Sequence, residues 1–406
     1  MKNLNKALLS GSLVLLITIN LYNLSNFFFQ WSMARLLTVV QYGELAALVS
    51  IIYLFAIITE SMQTVVAKSA STLPGNGEAK NLIKRSLRKS LKFAFISFIL
   101  YILISIYISR LLKIDYMLLA LNGLLIFPIY LATVSRGVLQ GRKLFSAFGF
   151  SMIVEGVSKI IIGVLLVYAG FQVYGAVAAI ILAVACSFIF SLFALKRFFS
   201  AEEKYSGDMK GLYSYAHPVL LANAIILIFS TLDILIAKIV FDSVSAGYYA
   251  ISSVIAKIIF LGTNPIGKAM FPITSGLKGP RLKSKSKSTL LTAFLLLLLI
   301  IIVVLPILYF FPEFLVKIFS GKEIIESSSI LFYLGIAFSF CSVTNLLLMY
   351  NLSKSPSSKT YSYLALIILV QIALFAFFSS SLKSFSIAFI AASICFLIAT
   401  IILTRK

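Results

Sequence analysis

Carboxylates are scarce in this sequence. Its 406 residues carry 13 Asp and Glu against 35 Lys and Arg, and charged residues of both signs make up 12%, where a soluble domain has roughly one quarter. With 61% hydrophobic residues, that composition excludes a soluble globular domain. Catalytic signatures are missing as well. The four aspartates, Asp115, Asp208, Asp233 and Asp242, form no close pair, His217 is the single histidine, and no GxxxxGK[ST], GxSxG or HExxH motif occurs. Nucleotide hydrolysis, serine-hydrolase and zinc-protease chemistry therefore lack the residues they need. Cys186, Cys341 and Cys395 stand alone in apolar runs, with no spacing for zinc or a disulfide framework, and read as small core residues. No metal site and no cofactor is expected, and the polar connections around 70–90, 198–212 and 275–288 are too short to fold a catalytic domain.

What is present is apolar sequence in long runs. Segments able to cross about 30 Å of hydrocarbon as helix fall at 8–36, 41–68, 91–112, 116–138, 147–169, 173–197, 213–240, 244–274, 288–311, 328–351, 360–379 and 382–403. The expected fold is all-α, a polytopic membrane protein with twelve transmembrane helices. The first run is too long for the core of a signal peptide and reads as a span. The formal charge of +22 does not imply a nucleic-acid partner, because the basic residues sit in short clusters between the runs. Lys80, Lys84, Arg85, Arg88, Lys89 and Lys92 precede span three, Lys196, Arg197, Lys204 and Lys210 follow span six, and Lys278, Arg281, Lys283, Lys285 and Lys287 follow span eight. Arg405 and Lys406 follow the last span, and the intervening connections are poor in Lys and Arg. The positive-inside rule then places both termini in the cytoplasm. The basic clusters attract anionic membrane lipids, and they are also suited to gathering an anionic lipid-linked substrate.

The chain repeats itself. A shift of 203 places Asn20 on Asn223, Gln30 on Asp233 and Ala34-Arg35 on Ala237-Lys238; a shift of 204 places Gly43 on Gly247, Tyr53 on Lys257, Glu60 on Asn264 and Thr64 on Lys268. Two parallel six-helix bundles follow, 1–198 and 213–406 around a linker at 199–212, pseudo-symmetric about an axis along the membrane normal.

Ionisable residues inside spans are functional-site candidates, because an ionised Lys at the bilayer centre costs about 2.5–3.5 kcal/mol on insertion scales. Ser253, Lys257, Asn264 and Lys268 are spaced four, seven and four apart, which sets them along one side of span eight. Neither lysine has a carboxylate one turn away, so a wet cavity that receives an anion accounts for both. Arg35 and Lys238 close spans one and seven, where snorkelling to the interface competes with a cavity role; Lys68 ends span two. Glu155 and Lys159 stand i,i+4 on span five and are read as a self-neutralising bridge. Asp233 is open between pairing with Lys257 and binding an ion, and Glu60 joins it as an ion-coupling candidate. Pro265, flanked by Gly262 and Gly267, removes a backbone donor within span eight and is the candidate hinge. Pro128 and Pro306 are expected to kink spans four and nine.

Asn26-Phe27-Phe28, Ala34-Arg35-Leu36-Leu37, Tyr42-Gly43-Glu44, Ala67-Lys68, Arg136-Gly137-Val138-Leu139-Gln140-Gly141, Gly170 with Tyr174-Gly175-Ala176, and Ala246-Gly247-Tyr248-Tyr249 resemble, in order and spacing, the polysaccharide biosynthesis proteins or oligosaccharide flippases. These belong to the multidrug/oligosaccharidyl-lipid/polysaccharide flippase superfamily, whose fold is MATE-like. The resemblance covers nearly all of spans one to eight and is loose over nine to twelve.

The resemblance implies a transporter, not an enzyme, in the cell membrane. It implies alternating access, with a polyprenyl-(pyro)phosphate-linked oligosaccharide carried from the cytoplasmic to the outer leaflet for cell-surface polysaccharide or glycoprotein assembly. Polysaccharide-assembly enzymes are implied partners. Lys257 and Lys268, assisted by Arg35, Lys68, Lys238 and Asn264, are then expected to face the lipid phosphate. Two other readings stand open: an H⁺- or Na⁺-coupled drug or metabolite antiporter of the same superfamily, with Asp233 and Glu60 as ion site, and a polytopic polymerase or glycosyltransferase.

Overall fold

In lipid, every backbone N–H and C=O of a spanning segment must find its partner within the protein, and a helix does this within one segment. The computed structural model describes residues 2–205, 212–275, 280–354 and 358–404, and among them it contains helices and no strand. Asp208, Lys210, Lys278, Arg405 and Lys406, named above, lie outside the described residues. In chain order the helices are α1 (Lys2–Leu36), α2 (Val39–Thr72), α3 (Asn76–Leu112), α4 (Tyr116–Leu124), α5 (Ile126–Gly141), α6 (Phe145–Leu166), α7 (Gln172–Ala194) and α8 (Lys196–Phe199). They continue as α9 (Leu212–Val240), α10 (Ser243–Ser275), α11 (Pro280–Phe310), α12 (Pro312–Ser320), α13 (Ile325–Leu352), α14 (Ser358–Leu364), α15 (Leu366–Phe377) and α16 (Leu382–Thr404).

Each expected span falls on one of these helices or on two that follow each other in the chain. Among the described residues, nine helical stretches are long and apolar enough to cross a membrane, and Tyr361–Phe377 is a shorter apolar one. One of the nine, Phe145–Ala194, covers the expected spans five and six. It breaks at a π-helical turn, where Gly170 takes φ +94° and Gln172 +48°, and α6 and α7 then pack along each other. Span four is two helices. Pro128 has no N–H to give the carbonyl of Leu124, four residues back, and α4 ends at that residue. Pro306, in contrast, lies inside α11, and α10 continues through Pro265.

By contacts the chain divides into two compact units, Met1–Gln41 with Phe55–Ala216, and Tyr42–Leu54 with His217–Lys406. Helix α2 passes from the second unit to the first between Leu54 and Phe55. In the first unit α1, α5 and α7 surround or flank α6, and α3 packs on α4 and α5. In the second, α13 lies between α10 and α16, with α11 alongside. The basic start of α3 is strapped to the residues after α8. Lys80 Nζ donates to Ala201 O at 2.8 Å, and Asn81 and Lys84 donate to the Glu203 carboxylate at 2.8 and 2.6 Å. These hydrogen bonds hold the Glu203 carboxyl below the usual carboxylate range.

The repeat shows in the tight turns. Two residues join α1 to α2 and two join α9 to α10, and each second residue caps the next helix. Thr38 and Gln41 form a reciprocal capping box at 3.0 and 3.3 Å. Asp242, matched to Thr38 at the shift of 204, accepts from the backbone N–H of Val244 and Ser245 at 3.0 and 3.1 Å. Hydrogen bonds from Ser245 and Val244 hold its carboxyl below the usual range. Just beyond, Gly43 meets its own repeat partner: a Cβ on Gly43 would lie 2.9 Å from the Gly247 Cα. Gly43→Val is expected to lower stability by about 1–3 kcal/mol through overpacking, whereas Gly262→Ala, where a Cβ meets nothing within 4 Å, stays within about 1 kcal/mol. Thermal unfolding of the purified protein in detergent checks both.

Candidate functional site

In the second unit, three residues of α10 spaced one turn apart converge on one carboxylate of α9. Asp233 is fully buried. Its Oδ2 accepts from the Ser253 hydroxyl and from the Tyr249 hydroxyl at 3.4 Å, and its Oδ1 lies 3.5 Å from Lys257 Nζ. The Lys257 ammonium also stands 5.5 Å from the ring centre of Phe338 on α13, within cation–π range. Its side chain keeps 13% exposure while Asp233 keeps none. The pair is therefore one-sided: the carboxylate is enclosed, and the ammonium reaches it from a partly open side.

The rest of the α10 stripe behaves differently along its length. Asn264 Oδ1 accepts from Asn345 Nδ2 of α13 at 3.3 Å. Lys268 is exposed and stands eleven residues beyond Lys257, about 16 Å along the axis, too far to share Asp233. Phe338 and Asn345 escaped the sequence reading, and Tyr249 entered it only within the motif that opens span eight, without a site role. Tyr249 had a signal, since it lies four residues before Ser253 and extends the same face.

Neither lysine has a carboxylate one turn away on its own helix; of the two roles left open for Asp233, the pairing with Lys257 across α9 and α10 is present. Snorkelling does not describe Lys238, which is 1% exposed in the last turn of α9, where the helix dipole favours a cation. Arg35 in the first unit is exposed, with its guanidinium 4.5 Å from the Trp31 ring centre. Lys68 and Glu60 are exposed on the part of α2 that belongs to the first unit. Gly262 faces open space, and Gly267 lies against Met349.

The first unit holds a second buried polar cluster. Glu155 Oε2 pairs with Arg136 Nη2 at 2.6 Å, and its Oε1 accepts from the Tyr22 hydroxyl at 2.5 Å. Arg136 also donates to the Ser187 hydroxyl at 2.7 Å and, through Nε, to the Ser151 hydroxyl at 3.2 Å. Lys159 turns to the Asn26 amide oxygen and to the rings of Tyr22 and Phe29, 5.6 and 5.4 Å from its Nζ. The expected i,i+4 bridge is thus replaced by Arg136–Glu155. The planar guanidinium fork, with five donors in fixed directions, serves a carboxylate and two serines at once. Among the described residues no three of His, Cys, Asp and Glu come together to hold a metal ion.

A protein-family model described as polysaccharide biosynthesis protein matches residues 8–278, more than half of the chain. The chain belongs to this family. Among solved structures, the fold of this polysaccharide biosynthesis protein is shared with a lipid II flippase MurJ in an inward closed conformation. There the TM-score is 0.76 at 15% identity, covering 97% of this chain and 88% of that one. An inward-facing multidrug resistance MATE family transporter of the MOP superfamily gives 0.73 at 16% identity, covering 95% and 93%. No curated protein matches the sequence.

Arg136→Met leaves Glu155 buried without its cation and is expected to lower the stability of this family member by about 3–5 kcal/mol. The Arg136→Met/Glu155→Leu double variant recovers a large part of that loss, as read by thermal unfolding at matched detergent.

Proposed function

We propose that the protein is a flippase that carries a polyprenyl-(pyro)phosphate-linked oligosaccharide from the cytoplasmic to the outer leaflet of the cell membrane by alternating access. Family membership supplies the biosynthetic setting, and the shared fold includes a protein named as a lipid II flippase. The observation that carries the reading is Lys257, an ammonium half-way along an apolar helix, tied on one side to a buried carboxylate and open on the other. A phosphate oxygen approaching the open side replaces a loose 3.5 Å contact with a charge-assisted hydrogen bond of ordinary length, about 2.7–2.9 Å. Asp233 then holds the ammonium in position when no phosphate is present, and no bond is made or broken in the cargo.

Lys268, Arg35 and Lys68 assist along the path, with Asn264 at the glycan. The bundles 1–198 and 213–406, both with cytoplasmic ends, move about a hinge at Pro265 and Gly262. Anionic lipids gather at the basic connections, and polysaccharide-assembly enzymes receive the product. A second reading, a cation-coupled antiporter, is favoured by the buried carboxylate Asp233 and by the MATE transporter likeness.

Lys257→Ala is expected to abolish complementation of a flippase-deficient strain at unchanged membrane abundance, with Lys257→Arg retaining part of it. Full complementation by Lys257→Ala would remove Lys257 as a phosphate contact. Uptake of a small organic cation by purified protein in liposomes, driven by an imposed H⁺ or Na⁺ gradient and lost in Asp233→Asn, would decide for the antiporter.

A further inference from the structure

Helix α12 follows span α11 directly and precedes span α13. The apolar stretch Ser286–Phe310 of α11 starts beside the basic connection after α10 and is long enough to cross. The segment 311–324 therefore lies at the membrane face opposite the basic connections, and α12 with it.

Its nine residues present three faces. Val316, Phe319 and Ser320 are buried, with Phe319 set 6.1 Å from the Tyr42 ring in an edge-to-face contact inside the second unit. Glu313 and Lys317 form a polar edge, with Lys317 paired to Glu323 at 2.6 Å. Phe314 and Ile318, 60% and 45% exposed, form a third face, which Phe311 extends at 57%. That face continues the exposed apolar residues of α11, Leu291, Leu295, Leu299, Ile302 and Phe310, at steps of three, four or eight. These residues belong to a span with little of its surface buried, and exposed apolar side chains continue in the chain through Phe310 and Phe311 into α12.

We propose that α12 is an interfacial membrane anchor: Phe311, Phe314 and Ile318 enter the acyl-chain boundary of the leaflet opposite the basic connections, and the Glu313–Lys317 edge meets water. A helix lying in the interface has this division between an apolar side and a charged edge, and aromatic rings are favoured at that depth. The occupant is lipid, because the stripe is continuous in the chain with the exposed apolar residues of α11, a membrane span. Since the opposite face of α12 holds Tyr42, the anchor fixes the depth at which helix α2 begins. This inference rests on membrane topology and not on the cargo.

Single cysteines report it in the full-length protein reconstituted in phosphatidylcholine/phosphatidylglycerol vesicles, where the natural Cys186, Cys341 and Cys395 lie within spans and give the background. With a membrane-impermeant maleimide on permeabilised vesicles, Lys317→Cys is expected to label readily, and Phe314→Cys and Ile318→Cys at least ~10-fold more slowly. In detergent the difference narrows. Equal labelling of all three in vesicles would overturn the anchor. So would protection of Phe314→Cys in native membranes that disappears in the vesicles, which would show a protein partner on this face. If one apolar-face variant fails to fold, the other carries the comparison.

Discussion

Charge inside an apolar bundle has to be answered by charge or by hydrogen bonds from other helices, and this demand organises both units. Arg136 and Glu155 tie α5 to α6, reach α1 through Tyr22 and reach α7 through Ser187. Asp233, Tyr249, Ser253 and Lys257 tie α9 to α10, and the ring of Phe338 brings in α13. Helices that share only aliphatic contacts have many packings of similar energy; a buried ion pair with directed hydrogen bonds has few. Such pairs add little net stability, because desolvation offsets the attraction. Their effect is to select which helix faces meet.

The two clusters differ in how fully their cations are bonded, not in exposure, since Arg136 and Lys257 both keep 13%. Arg136 donates to Glu155, Ser151 and Ser187, and Lys159 is occupied by an amide and two rings. Lys257 meets its carboxylate through a single 3.5 Å contact. An ion pair with its donors engaged on several helices holds those helices together, whereas an ammonium with one long contact keeps donors for another acceptor.

Much of the fold was legible in the sequence because lipid leaves few options. Apolar run length gave the helices to within a few residues at most ends, and Pro128 marked the break between α4 and α5; the equivalent caps Thr38 and Asp242 emerged only with the structure. The clusters were less legible. Spacing rules report neighbours on one helix, so they paired Glu155 with Lys159, whose place Arg136 takes from 19 residues away; for Lys257 they offered no partner on its own helix, and Asp233, 24 residues away, stayed open between that pairing and an ion. Of the two roles left open for Lys238, burial removes snorkelling, since closeness to a helix end says nothing of what packs over it. The passage of α2 between units at Leu54–Phe55 has no counterpart in its composition, which is apolar on both sides of that point.

The meeting of Gly43 and Gly247 makes two distant positions share one volume. Gly43 is small because the Gly247 backbone occupies the place where its side chain would go. Elsewhere the halves of the repeat differ, as where tyrosine stands against lysine at 53 and 257. At this crossing a larger residue at 43 has to displace the backbone at 247, so the effects of changing both positions are not the sum of changing each.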